Sequence, residues 1–125
     1  MLFKTVLIVE DNLLNMKLAA TLLETNGFEV LKAYDGTSAL QILSEHLVDL
    51  ILLDISLPDI DGYQVFEQAR QLEKHHFTKI VAFTAQALKD EQQRILEFGF
   101  DGYISKPIDP ERFVAEIKEI VDEGE

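Results

Sequence analysis

Leu50-Ile51-Leu52-Leu53-Asp54 is a run of four apolar residues closed by a carboxylate. No polar residue alternates within it, which is the pattern of a central strand covered by helices on both faces. An ionised Asp is rarely left buried without a partner, so a buried strand that stops on one usually stops at a site. A second run, Val6-Leu7-Ile8-Val9, stops in the same way at Glu10 and Asp11. If the two strands are parallel neighbours, three carboxylates meet at one edge of a sheet. Like charges about 4 Å apart repel by roughly 4 kcal/mol at an effective dielectric near 20, so the cluster calls for protons, a lysine or a hard cation.

Outward from these runs, strand and helix patterns alternate along the whole chain, five of each, as in an α/β fold with a parallel sheet. The first strand covers about Thr5 to Val9, and then Leu14, Leu18, Ala19 and Leu22 recur at helical spacing as far as Gly27. Leu13 falls opposite Leu18 and Leu22 on that helix, so the pattern predicts it exposed beside the acidic pair. Glu29 to Ala33 reads as strand two, Asp35-Gly36 as a turn, and Ala39, Leu40, Leu43 and Leu47 as one apolar helix face. After the loop that follows Asp54, Asp61 is placed to cap a helix with Gln64, whose stripe is Val65, Phe66, Ala69 and Leu72. Lys79 to Phe83 gives strand four, ending at Thr84. The next helix, Leu88 to Phe98, is mostly polar, with Leu88, Ile95 and Leu96 as anchors, and is predicted to be the least firmly held.

Tyr103-Ile104-Ser105 is a short fifth strand that ends at Lys106, and Asp109-Pro110 opens a last helix that buries Phe113, Ile117, Ile120 and Val121. His75-His76 reads as a solvated loop, since adjacent side chains diverge, and His46 as surface. No linker, repeat or low-complexity stretch interrupts the series, so residues 1–125 are expected to form a single domain.

A net charge of −12, from 11 basic and 23 acidic residues, opposes direct binding to nucleic acid. Most of that charge reads as a solvated surface, with Glu111, Glu116, Glu119, Asp122, Glu123 and Glu125 on a helix face and tail. The absence of cysteine excludes a disulfide framework and a thiolate metal site. Neither a signal peptide nor a membrane span is expected, and the cytoplasm is the expected location.

In a doubly wound sheet ligands bind beyond the carboxyl ends of the strands. Glu10, Asp11, Asp54, Thr84 and Lys106 all fall at that edge. Carboxylate oxygens suit Mg²⁺, a hard ion that commonly pairs with a phosphoryl group, while an ammonium and a hydroxyl serve oxygens that the metal does not reach. Phosphoryl transfer needs this positioning and charge neutralisation.

Glu10-Asp11, Asp54, Thr84-Ala85 and Lys106-Pro107, with Tyr103 between the last two, resemble the response-regulator receiver domain of two-component signalling in order and approximate spacing over nearly the whole chain. The resemblance implies a flavodoxin-like (βα)5 fold with strand order 2-1-3-4-5. It implies that Asp54 accepts a phosphoryl group from a histidine kinase or phosphotransfer protein, and that Glu10, Asp11, Asp54 and the Ser56 main-chain carbonyl hold Mg²⁺. Lys106 would pair with Asp54 or its phosphate, and Thr84 would bond the phosphoryl oxygen. Thr84 and Tyr103 would form the switch, and the Lys106-Pro107 peptide would be cis. The function implied is a single-domain response regulator that switches binding to a downstream protein target. Glu10-Asp11-Asn12 with Asn15 is similar to stand-alone and hybrid-kinase receivers of phosphorelays, including the DivK-like regulators, so a phosphate shuttle in a multistep relay is an alternative. By the same resemblance, Ser56, two residues after Asp54, and Gln86, two after Thr84, would flank the path of a hydrolytic water.

Two further classes fit parts of the pattern. A Mg²⁺-dependent phosphatase working through an aspartyl-phosphate usually has a second acid two residues after the nucleophile, and Ser56 stands there. A flavodoxin-like cofactor module has a Gly-rich or Ser/Thr-rich phosphate loop after its first strand, and none follows Val9. The chain therefore reads as a signalling phosphoacceptor that assists its own phosphorylation and dephosphorylation, not as a turnover enzyme.

Overall fold

The structure, a computed structural model, describes residues 4–85 and 88–122. Gln86 therefore lies outside the described residues, as do the N-terminal Met1-Leu2-Phe3 and the acidic Glu123 and Glu125. The elements in chain order are β1 (Thr5–Val9), α1 (Leu13–Thr25), β2 (Glu29–Ala33), α2 (Gly36–Glu45), β3 (Leu50–Asp54), α3 (Gly62–Gln71), a 3-10 turn (Glu73–His75), β4 (Lys79–Thr84), α4 (Lys89–Phe98), β5 (Gly102–Ser105) and α5 (Pro110–Asp122). All strands are parallel, in the order β2-β1-β3-β4-β5. This is the predicted doubly wound α/β sheet.

β3 is buried at every position because period-two alternation sends its side chains into two separate cores. Leu50 and Leu52 join Val6, Ile8, Val81 and Phe83 under α1 and α5. Ile51 and Leu53 join Leu7, Val9, Ile80 and Ala82 beneath the helices of the other face. Every helix but α4 is started by a polar side chain that the sequence offers. Asn12 accepts from Asn15 N at 2.9 Å, Asp61 and Gln64 form a reciprocal capping box, and Asp109 Oδ1 accepts from Glu111 N at 3.0 Å. Among the described residues no helix is long and apolar enough to cross a membrane.

The burial of α1 differs from the expected leucine stripe. Met16, Ala19, Ala20 and Leu23 face the sheet, and Leu13, Leu14 and Leu18 face outward, with Leu14 79% exposed. Two apolar stripes interleave on this helix, and the one carrying alanines lets the helix approach the sheet closely. Leu47 is also exposed, because α2 ends at Glu45 before reaching it. On α4 only Ile95 is buried; Leu88 precedes the helix and is 71% exposed, and Leu96 is exposed too. The expectation of a weakly anchored α4 thus holds with fewer anchors than predicted.

His75 corrects the solvated-loop reading, since the 3-10 turn tucks its ring into full burial. Nε2 lies 2.9 Å from Leu43 O and 3.1 Å from His46 O, and Nδ1 lies 3.0 Å from Thr78 Oγ1. Two carbonyls can only accept, so Nε2 carries the proton and Nδ1 accepts from the threonine hydroxyl. Every ring nitrogen is satisfied, which is the condition for burying it. His76 and His46 are exposed, as expected.

Candidate functional site

Parallel strands in this order bring the ends of β1, β3, β4 and β5 to one rim, and main-chain bonds continue past the strands to hold the next residues there. Glu10 N donates to Ala33 O at 3.0 Å, and Lys106 N donates to Thr84 O at 2.8 Å. The resulting cleft, about 690 Å³, is lined by Glu10, Asp11, Asp54, Ser56, Thr84 and Lys106 together with the first turn of α1. Glu10, Asp11 and Asp54 each present a carboxylate oxygen within 4.8 Å of the others. Glu10 and Asp54 are buried and Asp11 is exposed.

Lys106 Nζ lies 2.6 Å from Glu10 Oε1 and 3.3 Å from Asp54 Oδ2. It also sits 4.8 Å over the Phe83 ring. Glu10 Oε1 is shielded from solvent beside this ammonium, and Oε2 accepts from Asn12 N at 3.2 Å. Two buried carboxylates thus share one ammonium, and Asp11 adds a third carboxylate beside them, so negative charge is left in excess. That donor set fits a hard divalent cation.

Residues 6–118 match the response regulator receiver domain family. The chain belongs to that family. Its relatives include the polar-differentiation response regulators DivK of Brucella ovis, 44% identical over 92% of this chain and 94% of that protein, and of Brucella anthropi, 43% identical over the same shares. Among solved structures, chemotaxis response regulator CheY4 of Vibrio cholerae superposes with a TM-score of 0.90 at 25% identity, covering 95% of this chain and 99% of that one. The receiver domain of sensor histidine kinase PA1611 of Pseudomonas aeruginosa, a structure with a magnesium ion coordinated in its active site cleft, gives 0.82 at 31% identity, covering 96% and 95%.

Within this receiver the two buried acids are pushed apart in proton affinity. Burial raises both. For Glu10 the contacts with Asp54 and the Lys106 ammonium outweigh it, and its pKa falls below the ordinary value. For Asp54 burial and the neighbouring Glu10 prevail over the Ser56 N–H and Lys106, and its pKa is pushed up to about 7. Of the two, Asp54 is therefore the acid that holds a proton more readily. Ser56 N donates to Asp54 Oδ1 at 2.9 Å and fixes one side of that carboxylate.

Thr84 is buried at the end of β4 and lines the cleft. Tyr103 is not in the cleft: it packs half-buried against the core beside α4, and its hydroxyl donates to Gln92 Oε1 on that helix at 2.8 Å. The Lys106-Pro107 peptide is cis. Sequence reasoning missed Gln92 as the partner of Tyr103; a glutamine in a polar helix carries no pattern that would single it out. It also missed Asp59, whose carboxylate reaches the N-terminus of α2, because residues 22 and 23 positions apart leave no local signature.

Proposed function

We propose that this chain acts as one receiver unit, a stand-alone response regulator in the cytoplasm. Asp54 accepts a phosphoryl group in a Mg²⁺-dependent reaction, and the phosphorylated surface is read by another protein. The observation that carries this reading is the grouping of a buried Asp54 with two further acids and one lysine at the strand edge.

A carboxylate oxygen of Asp54 attacks phosphorus, the bond from phosphorus to the donor nitrogen breaks, and the donor imidazole leaves with that electron pair. The product is an acyl phosphate. Lys106 neutralises phosphoryl charge from the Asp54 side, and Thr84 donates its hydroxyl to a phosphoryl oxygen. Glu10, Asp11, Asp54 and the Ser56 carbonyl would hold Mg²⁺, which supplies positive charge to the transferring oxygens when bound. Movement of Thr84 toward the phosphate opens space for Tyr103, whose bond to Gln92 then breaks. With Ile95 alone buried on α4, that helix is the element least able to resist repacking.

The donors are a histidine kinase or a histidine phosphotransfer protein, which receiver domains serve. Leu13 and Leu14 line the cleft and, with the exposed Leu18 further along α1, form an apolar surface for the helices of that donor. Leu13→Ala is expected to slow transfer from a protein donor about tenfold, the effect of losing roughly 1.4 kcal/mol at an interface. Its labelling by acetyl phosphate should match wild type. Unchanged transfer from the cognate donor removes Leu13 from the interface.

The reading as a whole is tested by incubating the purified chain with a panel of phosphorylated histidine kinases and phosphotransfer proteins. Labelling is expected to require Mg²⁺, to disappear with a chelator and to be labile to hydroxylamine, as an acyl phosphate is. Repeated turnover of a phosphate ester would instead indicate the phosphatase reading.

A further inference from the structure

Asp59 lies in the loop between β3 and α3, outside the acidic cluster, and yet it is more heavily bonded than any acid in that cluster. Its Oδ1 accepts from Gly36 N at 2.8 Å, and its Oδ2 accepts from Thr37 N at 2.9 Å and from Thr37 Oγ1 at 2.6 Å. These donors stand at the start of α2, where the helix leaves its first N–H groups unpaired and carries partial positive charge. The Thr37 hydroxyl, then the Gly36 N–H, hold the Asp59 carboxyl well below the usual carboxylate range. The helix already has a cap of its own, since Asp35 Oδ1 accepts from Ser38 N at 2.7 Å. Asp59 takes the two N–H groups that Asp35 leaves, so it completes the cap and at the same time ties its own loop to the helix.

The loop is the one that carries Ser56. Its two ends are pinned by their own contacts. Gly62 N donates to Ile55 O at 2.8 Å, and a Cβ at Gly62 would stand 2.7 Å from Asp54 O and Ile55 Cα, so α3 starts directly against the backbone that leaves Asp54. The capping box fixes Asp61. Between these anchors, Ser56, Pro58 and Asp59 are all exposed. Leu57 and Ile60 pack half-buried against the core, and the Asp59 clamp adds the stretch's side-chain polar tie to the start of α2. Ser56 in turn donates its N–H to Asp54 Oδ1.

We infer that Asp59 is a positioning residue for the acidic site: by clamping the β3–α3 loop to the N-terminus of α2, it fixes the Ser56 main chain against Asp54 and thereby sets the site's affinity for Mg²⁺. This rests on the reading of the acidic cluster as a Mg²⁺ site. Loss of the clamp lets Ser56 sample positions in which neither its carbonyl nor its N–H serves the site, so binding must reorder the loop.

The test is calorimetric titration of the full chain with Mg²⁺, in wild type, Asp59→Ala, Thr37→Val and Asp35→Ala, each with a denaturation curve. Asp59→Ala is expected to weaken Mg²⁺ binding on the order of tenfold, the lower end of what losing an outer partner of a metal ligand does. Thr37→Val, which removes one of the three donors, should give a smaller loss in the same direction and replaces Asp59→Ala if that variant does not fold. Asp35→Ala should lower the unfolding midpoint, through loss of a helix cap, while leaving Mg²⁺ affinity unchanged. Wild-type affinity in Asp59→Ala, or an equal loss in Asp35→Ala, overturns the inference. A wild-type chain that takes up no Mg²⁺ overturns the reading of the site itself.

Discussion

Asp54→Asn is expected to bring labelling by acetyl phosphate down to background while the far-UV circular dichroism stays that of the wild type. Acetyl phosphate is small enough to reach the cleft without a docking surface, so the result reports the nucleophile and not the donor. Of the three clustered acids, Glu10 is fully buried and held 2.6 Å from Lys106. Asp11 is exposed, and only Asp54 combines burial with a carboxylate oriented by the Ser56 N–H. Asparagine keeps the acceptor for that N–H but supplies no nucleophilic oxygen. Full stoichiometric labelling of the variant would transfer the role to another acid.

The same substitution is expected to stabilise the metal-free protein. The Asp54 pKa stands at about 7 against an ordinary 3.8, so between those values the folded state binds more protons than the unfolded chain. Stability contributed at this position therefore declines as pH rises through that window and levels off above 7. Asparagine does not titrate, and its advantage should be absent below pH 4 and fully developed above pH 7. There it should amount to roughly 1–2 kcal/mol, the scale on which relieving a poorly compensated buried charge acts. Urea denaturation with and without Mg²⁺ checks this. The cation should stabilise the wild type, by binding only its folded state, and leave the variant nearly unmoved.

Which parts of this architecture the sequence discloses follows from how local their causes are. A strand buried on both faces must be apolar throughout, so Val6–Val9 and Leu50–Leu53 are legible without coordinates, and so are the acids that stop them. The Asp61–Gln64 capping box is legible because both partners lie within one turn. On α1 the choice between two apolar stripes is made by the fit of Ala19 and Ala20 against the sheet, which periodicity alone does not report. His75 is buried by carbonyls of Leu43 and His46, about thirty residues away, and Asp59 works through Gly36 and Thr37; neither partnership has a sequence period. Polar contacts between distant loops are thus the part of the site that only the fold reveals.

Lys106 carries the second large effect. Its ammonium is the only cation placed between Glu10 and Asp54 among the described contacts, at 2.6 and 3.3 Å, and all three side chains are largely buried. Lys106→Ala leaves two buried carboxylates facing each other, and breaking such an arrangement from one side is expected to destabilise the metal-free protein by about 3 kcal/mol at pH 8. Without the ammonium both acids hold their protons more tightly in the folded chain. The folded-state pKa then lies above the unfolded one, so the lost stability should return as pH falls from 8 toward 4. Added Mg²⁺ should restore it at high pH, since a dication takes over the neutralising role. Lys106→Arg separates charge from geometry. A guanidinium preserves the positive charge, so the fold should survive at all pH values, but its planar fork does not reproduce the point contact that the ammonium makes with both acids. Amide shifts of α4 on adding beryllofluoride, a phosphoryl analogue, should therefore be weaker than in wild type. Shifts of wild-type size in Lys106→Arg would mean that charge alone at this position drives the switch.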